Sequence, residues 1–333
     1  MSEVDHSGAL LEVEDLRVEF RTRDGVASVL NGVSYHVAAG ETLAVLGESG
    51  SGKSVTAQAV MGILDTPPAF VTGGAVRFHG EDLLRATPER RRVLRGSGLA
   101  MIFQDALSAL NPVFTVGFQI EEQLRVRLGA SRRDARQRAI ELLDLVRIPG
   151  AKQRVREYPH QFSGGMRQRA MIAMSLALDP ELLIADEPTT ALDVTVQAQI
   201  MDLLAEIQAE RNTGLVLITH DLGVVAEVAD RIAVVYAGRV VEHADARDLF
   251  RSPGHPYTAA LLESLPRLDQ RGSALHTIRG LPPSLLAVPP GCPFHPRCPR
   301  ARDVCRTEVP AQVALGSGRV SACHFAEEVV SGG

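Results

Sequence analysis

The chain has 333 residues, 45% hydrophobic and 23% charged, with a net charge of −5 and no basic block. That composition describes a globular chain long enough for one large domain or two ordinary ones, and excludes a charge-driven nucleic-acid binder. No apolar run approaches the roughly 18 residues of a membrane span, and Met1 to Gly8 lacks a signal peptide's apolar stretch, so a cytoplasmic chain is expected.

Residues 10 to 37 alternate in the manner of antiparallel strands: Leu11 and Val13, then Leu16, Val18 and Phe20, then Val29-Leu30 and Val33, Tyr35, Val37. Asp24-Gly25 supplies the hairpin turn between them. Leu43 to Leu46 reads as a short buried strand, and Val55 to Leu64 as a helix of small apolar residues. A strand from Ala75 to Phe78, after Gly73-Gly74, is expected to join the first sheet. Thr87 to Arg95 is a basic, solvated helix, and Leu99 to Phe103 a buried strand ending at Gln104. From Val116 to Ile148 the pattern is helical, with Ala135, Ala139, Leu142, Leu143 and Val146 on one face. Ser131 with Asp134 marks a helix start and Pro149-Gly150 a stop. Residues 105–162 therefore read as a helical insertion. The α/β core resumes with a helix opened by Ser163-Gly164-Gly165, a strand at Leu182 to Ala185, a helix at Val194 to Ala209 and a strand at Leu215 to Thr219. A hairpin, Ile232 to Tyr236 turning at Ala237-Gly238 into Arg239 to Glu242, closes this part. Strands alternating with helices predict a largely parallel sheet, with ligands at the carboxyl ends of its strands. Beyond Phe250 the proline-dense texture predicts a separate, loop-rich extension over 252–333.

The stretch Gly47-Glu48-Ser49-Gly50-Ser51-Gly52-Lys53-Ser54 stands between a predicted strand and a predicted helix, and it fits G-x-x-x-x-G-K-[ST]. A glycine-rich turn there lets backbone N–H groups converge on phosphate oxygens, aided by the positive end of the helix. Lys53 adds a point charge and Ser54 a hydroxyl for Mg²⁺, so the pattern implies nucleoside triphosphate binding. Leu182 to Ala185 ends in Asp186-Glu187. Side chains alternate along a strand, so two adjacent acids can do different work: Asp186 near Mg²⁺, Glu187 on the attacking water.

In chain order, Gly47 to Ser54, Gln104, Phe162 to Gln168, Asp186-Glu187, Ala191-Leu192-Asp193 and His220 resemble the motifs of the ATP-binding cassette (ABC) ATPases. They look like the Walker A loop, Q-loop, signature, Walker B motif, D-loop and switch histidine, over roughly residues 10 to 250. The resemblance implies the ABC-ATPase fold: an α/β core with a mainly parallel sheet, N-terminal antiparallel strands and a helical subdomain at 105–162, in a cassette of residues 1–251. It implies ATP and Mg²⁺ as ligands, with Ser54, Gln104 and Asp186 on the metal, and Glu187 and His220 as catalytic residues. It further implies that two cassettes sandwich ATP, so that Ser163, Gly164, Gly165 and Met166 serve the nucleotide of a partner, with Asp193 in the D-loop between them. Phe162 and Met166 replace the Leu and Gln of the commonest signature, while the phosphate-touching Ser-Gly-Gly is intact. Phe20 is the candidate aromatic for adenine, the alternative being a core strand aromatic.

The tail narrows the resemblance. His255-Pro256-Tyr257-Thr258 with Leu261-Leu262 and Pro266, and Asn111-Pro112 after Gln104, are similar to the oligopeptide/dipeptide permease ATPase subunits. That implies a peripheral subunit at the cytoplasmic face of the membrane, paired with a second, related ATPase, two transmembrane permeases and an external peptide-binding protein. Importers of other small solutes such as nickel, and soluble ABC ATPases acting on DNA or ribosomes, are the alternatives. About 108 residues separate Lys53 from Gln161, without sustained heptads, which disfavours the coiled-coil DNA-repair type.

All four cysteines, Cys292, Cys298, Cys305 and Cys323, fall in the extension with the spacing C-x5-C-x6-C-x17-C. A reducing compartment disfavours disulfides, and the C-x2–4-C pair usual for zinc is missing. Four thiolates with wider gaps suit an iron–sulfur cluster, as in the tail of some dipeptide-permease ATPases that this one resembles. Zinc and uncommitted thiols are the alternatives.

Overall fold

The computed structural model describes residues 8–190, 192–264, 278–316 and 318–332. Ala191 of the D-loop resemblance, Pro266 of the tail motif and the start of the chain before Gly8 lie outside these residues. The chain divides into two compact units: Met1–Val37, Thr42–Leu84 and Ile218–Gly333 form one, Ala38–Glu41 and Arg85–Leu217 the other.

The first unit opens with the predicted hairpin, Ala9–Thr22 and Gly25–Ala38. A four-stranded sheet runs in the order Gly25–Ala38, Ala9–Thr22, Ala69–Phe78, Glu81–Asp82. Along Ala9–Thr22 the buried residues are Leu10, Leu11 and Val13, then Leu16 and Val18, so the alternating set changes from Leu11-Val13 at odd positions to Leu16-Val18 at even ones. A bulge between Glu14 and Arg17 accounts for this. One extra residue, Asp15 in left-handed backbone (φ 46°), restores the apolar face after the pattern slips. Opposite it, Gly74 passes so close to the Glu14 and Asp15 carbonyls that a side chain would strike them. The strand paired there begins at Ala69, ahead of the predicted Ala75, because Gly73-Gly74 serve the bulge and do not end the strand.

The same unit holds Thr42–Leu46, wholly buried, parallel to Arg231–Tyr236 with Ala44 beside Ile232. Arg239–Asp245 returns antiparallel, and two short strands of the extension, Val320–Ser321 and Val313–Ala314, continue outward from it. The extension is thus built onto the sheet. Its Phe294, 1% exposed, shares a core with Leu46, Val234, Tyr236, Leu249 and Tyr257. Helix Pro256–Glu263 starts at the His255-Pro256 motif, with the His255 ring nitrogen accepting from the Tyr257 N–H.

In the second unit, Leu182–Asp186 and Leu99–Ile102 lie side by side and fully buried, with Leu99 beside Leu182 in parallel, and the equally buried strand Gly214–Thr219 begins there. Such both-face burial is what continuous Val/Leu/Ile runs specify. The predicted helical stretch is two helices, Val116–Leu128 and Arg132–Leu145. Gly129 in left-handed backbone ends the first, and Ser131 caps the second by accepting from the Asp134 N–H at 3.2 Å. The apolar face read from the sequence is inside: Ala135, Ala139, Leu142, Leu143 and Val146 are all 0% exposed. Pro88–Ser97 buries no residue, as its basic sequence requires.

Candidate active site

The loop Gly47 to Ser54 connects the buried strand Thr42–Leu46 to helix Lys53–Met61. Gly47 (φ 155°) passes against the Val235 carbonyl where a side chain would collide. Gly52 (φ 104°), at the helix N-cap, lies where a β-carbon would meet Leu30 at 2.8 Å and the Val29 carbonyl at 3.0 Å. Both positions need glycine, for conformation and for space. The Lys53 ammonium is buried and donates to the carbonyls of Gly47 (2.8 Å) and Glu48 (3.0 Å), so it bends back over the loop's mouth. Ser49 and Gly50 are exposed, Ser54 half-buried. Ser51 Oγ is buried without a hydrogen-bond partner among the described residues, an orphaned polar atom of the kind a ligand completes. His220, exposed, follows Gly214–Thr219 and is oriented by a tight turn in which the Asp221 N–H donates to Thr219 Oγ1 at 3.0 Å. Phe20 is half-buried on its strand, opposite Ala69.

The second unit brings together Gln104 and Glu187, 83 residues apart. Gln104 Nε2 donates to Glu187 Oε2 at 2.9 Å. Thr190 Oγ1, a contact that sequence reading did not single out, donates to the same oxygen at 2.9 Å. Glu187 sits in left-handed backbone (φ 45°), a conformation costing a non-glycine residue about 1–3 kcal/mol and concentrated at functional sites. Its neighbour Asp186, 4% exposed, ends the buried strand, so the two adjacent carboxylates stand in different surroundings. Ser163 caps helix Gly164–Ser175 with its hydroxyl accepting from the Met166 N–H at 3.4 Å, and Ser163 and Gly164 are exposed at that helix start. Gly165 packs on Val196, where a β-carbon would approach to 2.8 Å. Asp193 caps the helix Val194–Arg211, accepting from the Val196 N–H at 3.0 Å.

Sequence reading missed two contacts to the glycine-rich loop, from Tyr257 and Arg297. The Glu48 N–H donates to the Tyr257 hydroxyl at 2.9 Å, and the Glu48 carboxylate takes two hydrogen bonds from Arg297, at 2.5 and 2.9 Å. Arg297 also donates to the Tyr236 hydroxyl at 3.3 Å. The only signal was that Arg297 precedes a cysteine, and nothing in the local pattern ties it to residue 48.

The four cysteines line one small pocket, with His295, His324 and Phe325 around it. None is in a disulfide. Burial pushes the Cys292 thiol up to about 11 and raises Cys298 and Cys323 as well, so as free thiols these groups are protonated and unreactive at neutral pH. Among the described residues no three His, Cys, Asp or Glu side chains are gathered to hold a single metal ion.

The fold and the loop define an ATP-binding cassette ATPase. Residues 30–190 match the family model described as ABC transporter, and 241–305 that of the oligopeptide/dipeptide transporter, C-terminal region. The chain is 50% identical over 317 residues to the oligopeptide transport ATP-binding protein OppD of Salmonella typhimurium, covering 95% of this chain and 94% of that one. With the dipeptide transport ATP-binding protein DppD of Bacillus subtilis it shares 49% over 319 residues, 96% and 95% of the two chains. Among solved structures it is similar to the dimeric bacterial ABC transporter cassette MJ0796, with a TM-score of 0.64 and 26% identity over 71% of this chain and 99% of that one. The chain belongs to the family of oligopeptide and dipeptide ABC transporter ATP-binding proteins.

Proposed function

We propose that this chain is the ATP-hydrolysing subunit of an importer for dipeptides or oligopeptides. The observation that carries the reading is the likeness to OppD and DppD over 95% or more of this chain, tail included. Residues 1–251 are then the cassette, with a helical subdomain at 105–162, and 252–333 the permease-type extension. Gly47 to Ser54 take the triphosphate and Phe20 the adenine. Ser54, Gln104 and Asp186 offer a hydroxyl, an amide carbonyl and a carboxylate, an all-oxygen set of the kind Mg²⁺ prefers. Glu187 takes a proton from the attacking water, held for that task by Gln104 and Thr190, and His220 contacts the γ-phosphate. Ser163, Gly164, Gly165 and Met166, with Asp193, serve ATP bound by a second, related cassette.

No helix among the described residues is long and apolar enough to cross a membrane. We therefore place the chain on the membrane through two permease subunits, fed by an external binding protein. Support comes from an exposed apolar group beside Gln104: Phe103, Leu107, Val113 and Phe114, with Phe114 stacked on Phe118 at 4.9 Å. Exposed clusters of this kind mark partner contacts.

For the cysteines we infer an iron–sulfur cluster. Four thiols lining one pocket suit a centre that takes one thiolate per iron. A bound cluster would supply a cross-link between turns that have little apolar surface of their own.

The test is transport. Reconstituted in liposomes with its cognate permeases, second cassette and binding protein, the chain should drive ATP-dependent uptake of labelled di- and oligopeptides, and Glu187→Gln should stop it. Nickel uptake without peptide uptake would favour the other importer. ATPase activity stimulated by DNA or ribosomes and never by permeases would favour a soluble role.

A further inference from the structure

A phosphate-binding loop is a cradle for anions, yet this one carries a carboxylate at its second position, Glu48. A triphosphate brings several negative charges to the same loop, so an uncompensated Glu48 would repel the ligand. The structure supplies a counter-charge from 249 residues downstream. Arg297 Nη1 donates to Glu48 Oε2 at 2.5 Å and Nη2 to Oε1 at 2.9 Å, a fork-to-fork pair. The arginine side chain is 5% exposed and that of Glu48 25%, so water screens the pair poorly. The hydrogen bonds to Glu48 hold the guanidinium further above its ordinary range.

The arginine is itself fixed on every side. Its Nε donates to the Arg279 carbonyl at 3.0 Å, Nη1 reaches the Tyr236 hydroxyl, and the guanidinium lies 5.8 Å from the centre of the Tyr236 ring. Its backbone N–H donates to the carbonyl of Phe294, which is buried edge-on to Tyr236 at 5.3 Å. Next to it the Tyr257 hydroxyl accepts from the Glu48 N–H, so both the backbone and the side chain of residue 48 are held by the C-terminal part of the chain.

We propose that Arg297 is a positioning residue of the ATP site: by neutralising and clamping Glu48 it makes the phosphate loop competent for a triphosphate. The cysteine-bearing segment is then a part of the nucleotide site in all but contact with the nucleotide. This deepens the ATP-site reading and rests on it.

The experiment measures binding of a fluorescent ATP analogue to the full-length chain at low ionic strength. Arg297→Gln should weaken binding about tenfold, since it leaves a bare carboxylate in the cradle. Adding Glu48→Gln to that variant should bring affinity back to within about threefold of wild type. Equal affinity of Arg297→Gln and wild type overturns the proposal. So does a loss that Glu48→Gln fails to relieve, the mark of a merely structural arginine. Should Arg297→Gln not fold, Glu48→Gln alone reads the pair from the other side. With the cation left unbalanced the analogue should bind about two- to threefold more tightly, and unchanged or weaker binding overturns the idea. Wild-type protein that binds no better than Lys53→Ala would instead sink the ATP-site reading itself.

Discussion

Replacing Glu187 by glutamine separates chemistry from architecture at this site. In the structure one carboxylate oxygen, Oε2, takes both ordering hydrogen bonds, from Gln104 Nε2 and Thr190 Oγ1, each 2.9 Å. A glutamine can turn its carbonyl oxygen to the same two donors, so side-chain placement and fold are retained. What is lost is the capacity to take a proton from water. A well-placed general base contributes about 10²–10⁴ in rate, which at about 1.4 kcal/mol per tenfold is about 2.8–5.6 kcal/mol of barrier. Glu187→Gln should therefore lower kcat by about two to four orders of magnitude and leave ATP binding intact. Thr190→Val removes one ordering bond, keeps the base and spares the residues offered to Mg²⁺, so it should cost only about 1 kcal/mol, or roughly fivefold. The assay is phosphate release from the assembled transporter, with the corresponding glutamate of the second cassette also replaced so that its turnover cannot mask the result. A Glu187→Gln rate within tenfold of wild type in that background would refute the assignment. So would a variant whose defect is weaker ATP binding with turnover preserved.

Phe294→Ala should destabilise the first unit by about 3–5 kcal/mol, because it empties a fully buried site against Tyr236 and Tyr257; chemical denaturation followed by intrinsic tyrosine fluorescence measures this, and a loss below 1 kcal/mol would contradict the shared core. Acid should weaken the fold. Burial holds His255 and His243 neutral with pKa values near 3 against an ordinary 6.5, so the unfolded chain binds more protons between those values, and stability should drain away as pH falls from about 6.5 toward 3. The denaturation midpoint measured from pH 7 to 5 should fall, and less steeply in His255→Asn, whose amide oxygen can take the same Tyr257 N–H; identical slopes would rule out His255 as a source. Purified without oxygen, the chain should carry about four irons and absorb near roughly 400 nm, whereas one zinc and no iron would select the alternative.

Much of this was readable because the determining interactions are local. The glycine-rich loop, the strand before it and the helix after it occupy one short stretch, and an anion cradle is built from consecutive backbone groups. Leu11-Val13 followed by Leu16-Val18 even records the bulge at Asp15 as a change of phase, though only the structure shows that Gly73-Gly74 accommodate it within a continuous strand. The order of motifs singled out Gln104 and Glu187 separately, their hydrogen bond came only from the structure, and Thr190 escaped because a threonine after a strand carries no distinguishing chemistry. The Arg297 clamp was invisible for a physical reason. It joins residues 249 apart through side chains, and neither end has a periodicity or spacing that points at the other. Val320–Ser321, two residues long, is likewise too short to carry an alternating pattern, yet it finds the sheet at His243. The spacing of the cysteines spoke of a shared ligand, and their convergence on one cavity is the structure's addition.

The placement of Arg297 also bears on how the protein is made. A ribosome releases the phosphate loop early and its clamp only after a further 249 residues, a delay of about 12–50 s at about 5–20 residues per second. Until then Phe294 is missing from the core beside Tyr236 and the sheet lacks Val320–Ser321. A nascent or truncated chain thus carries every familiar ATPase motif without a finished nucleotide site. On the clamp proposed above, a chain cut short before Arg297 would hold ATP more weakly than one that carries it.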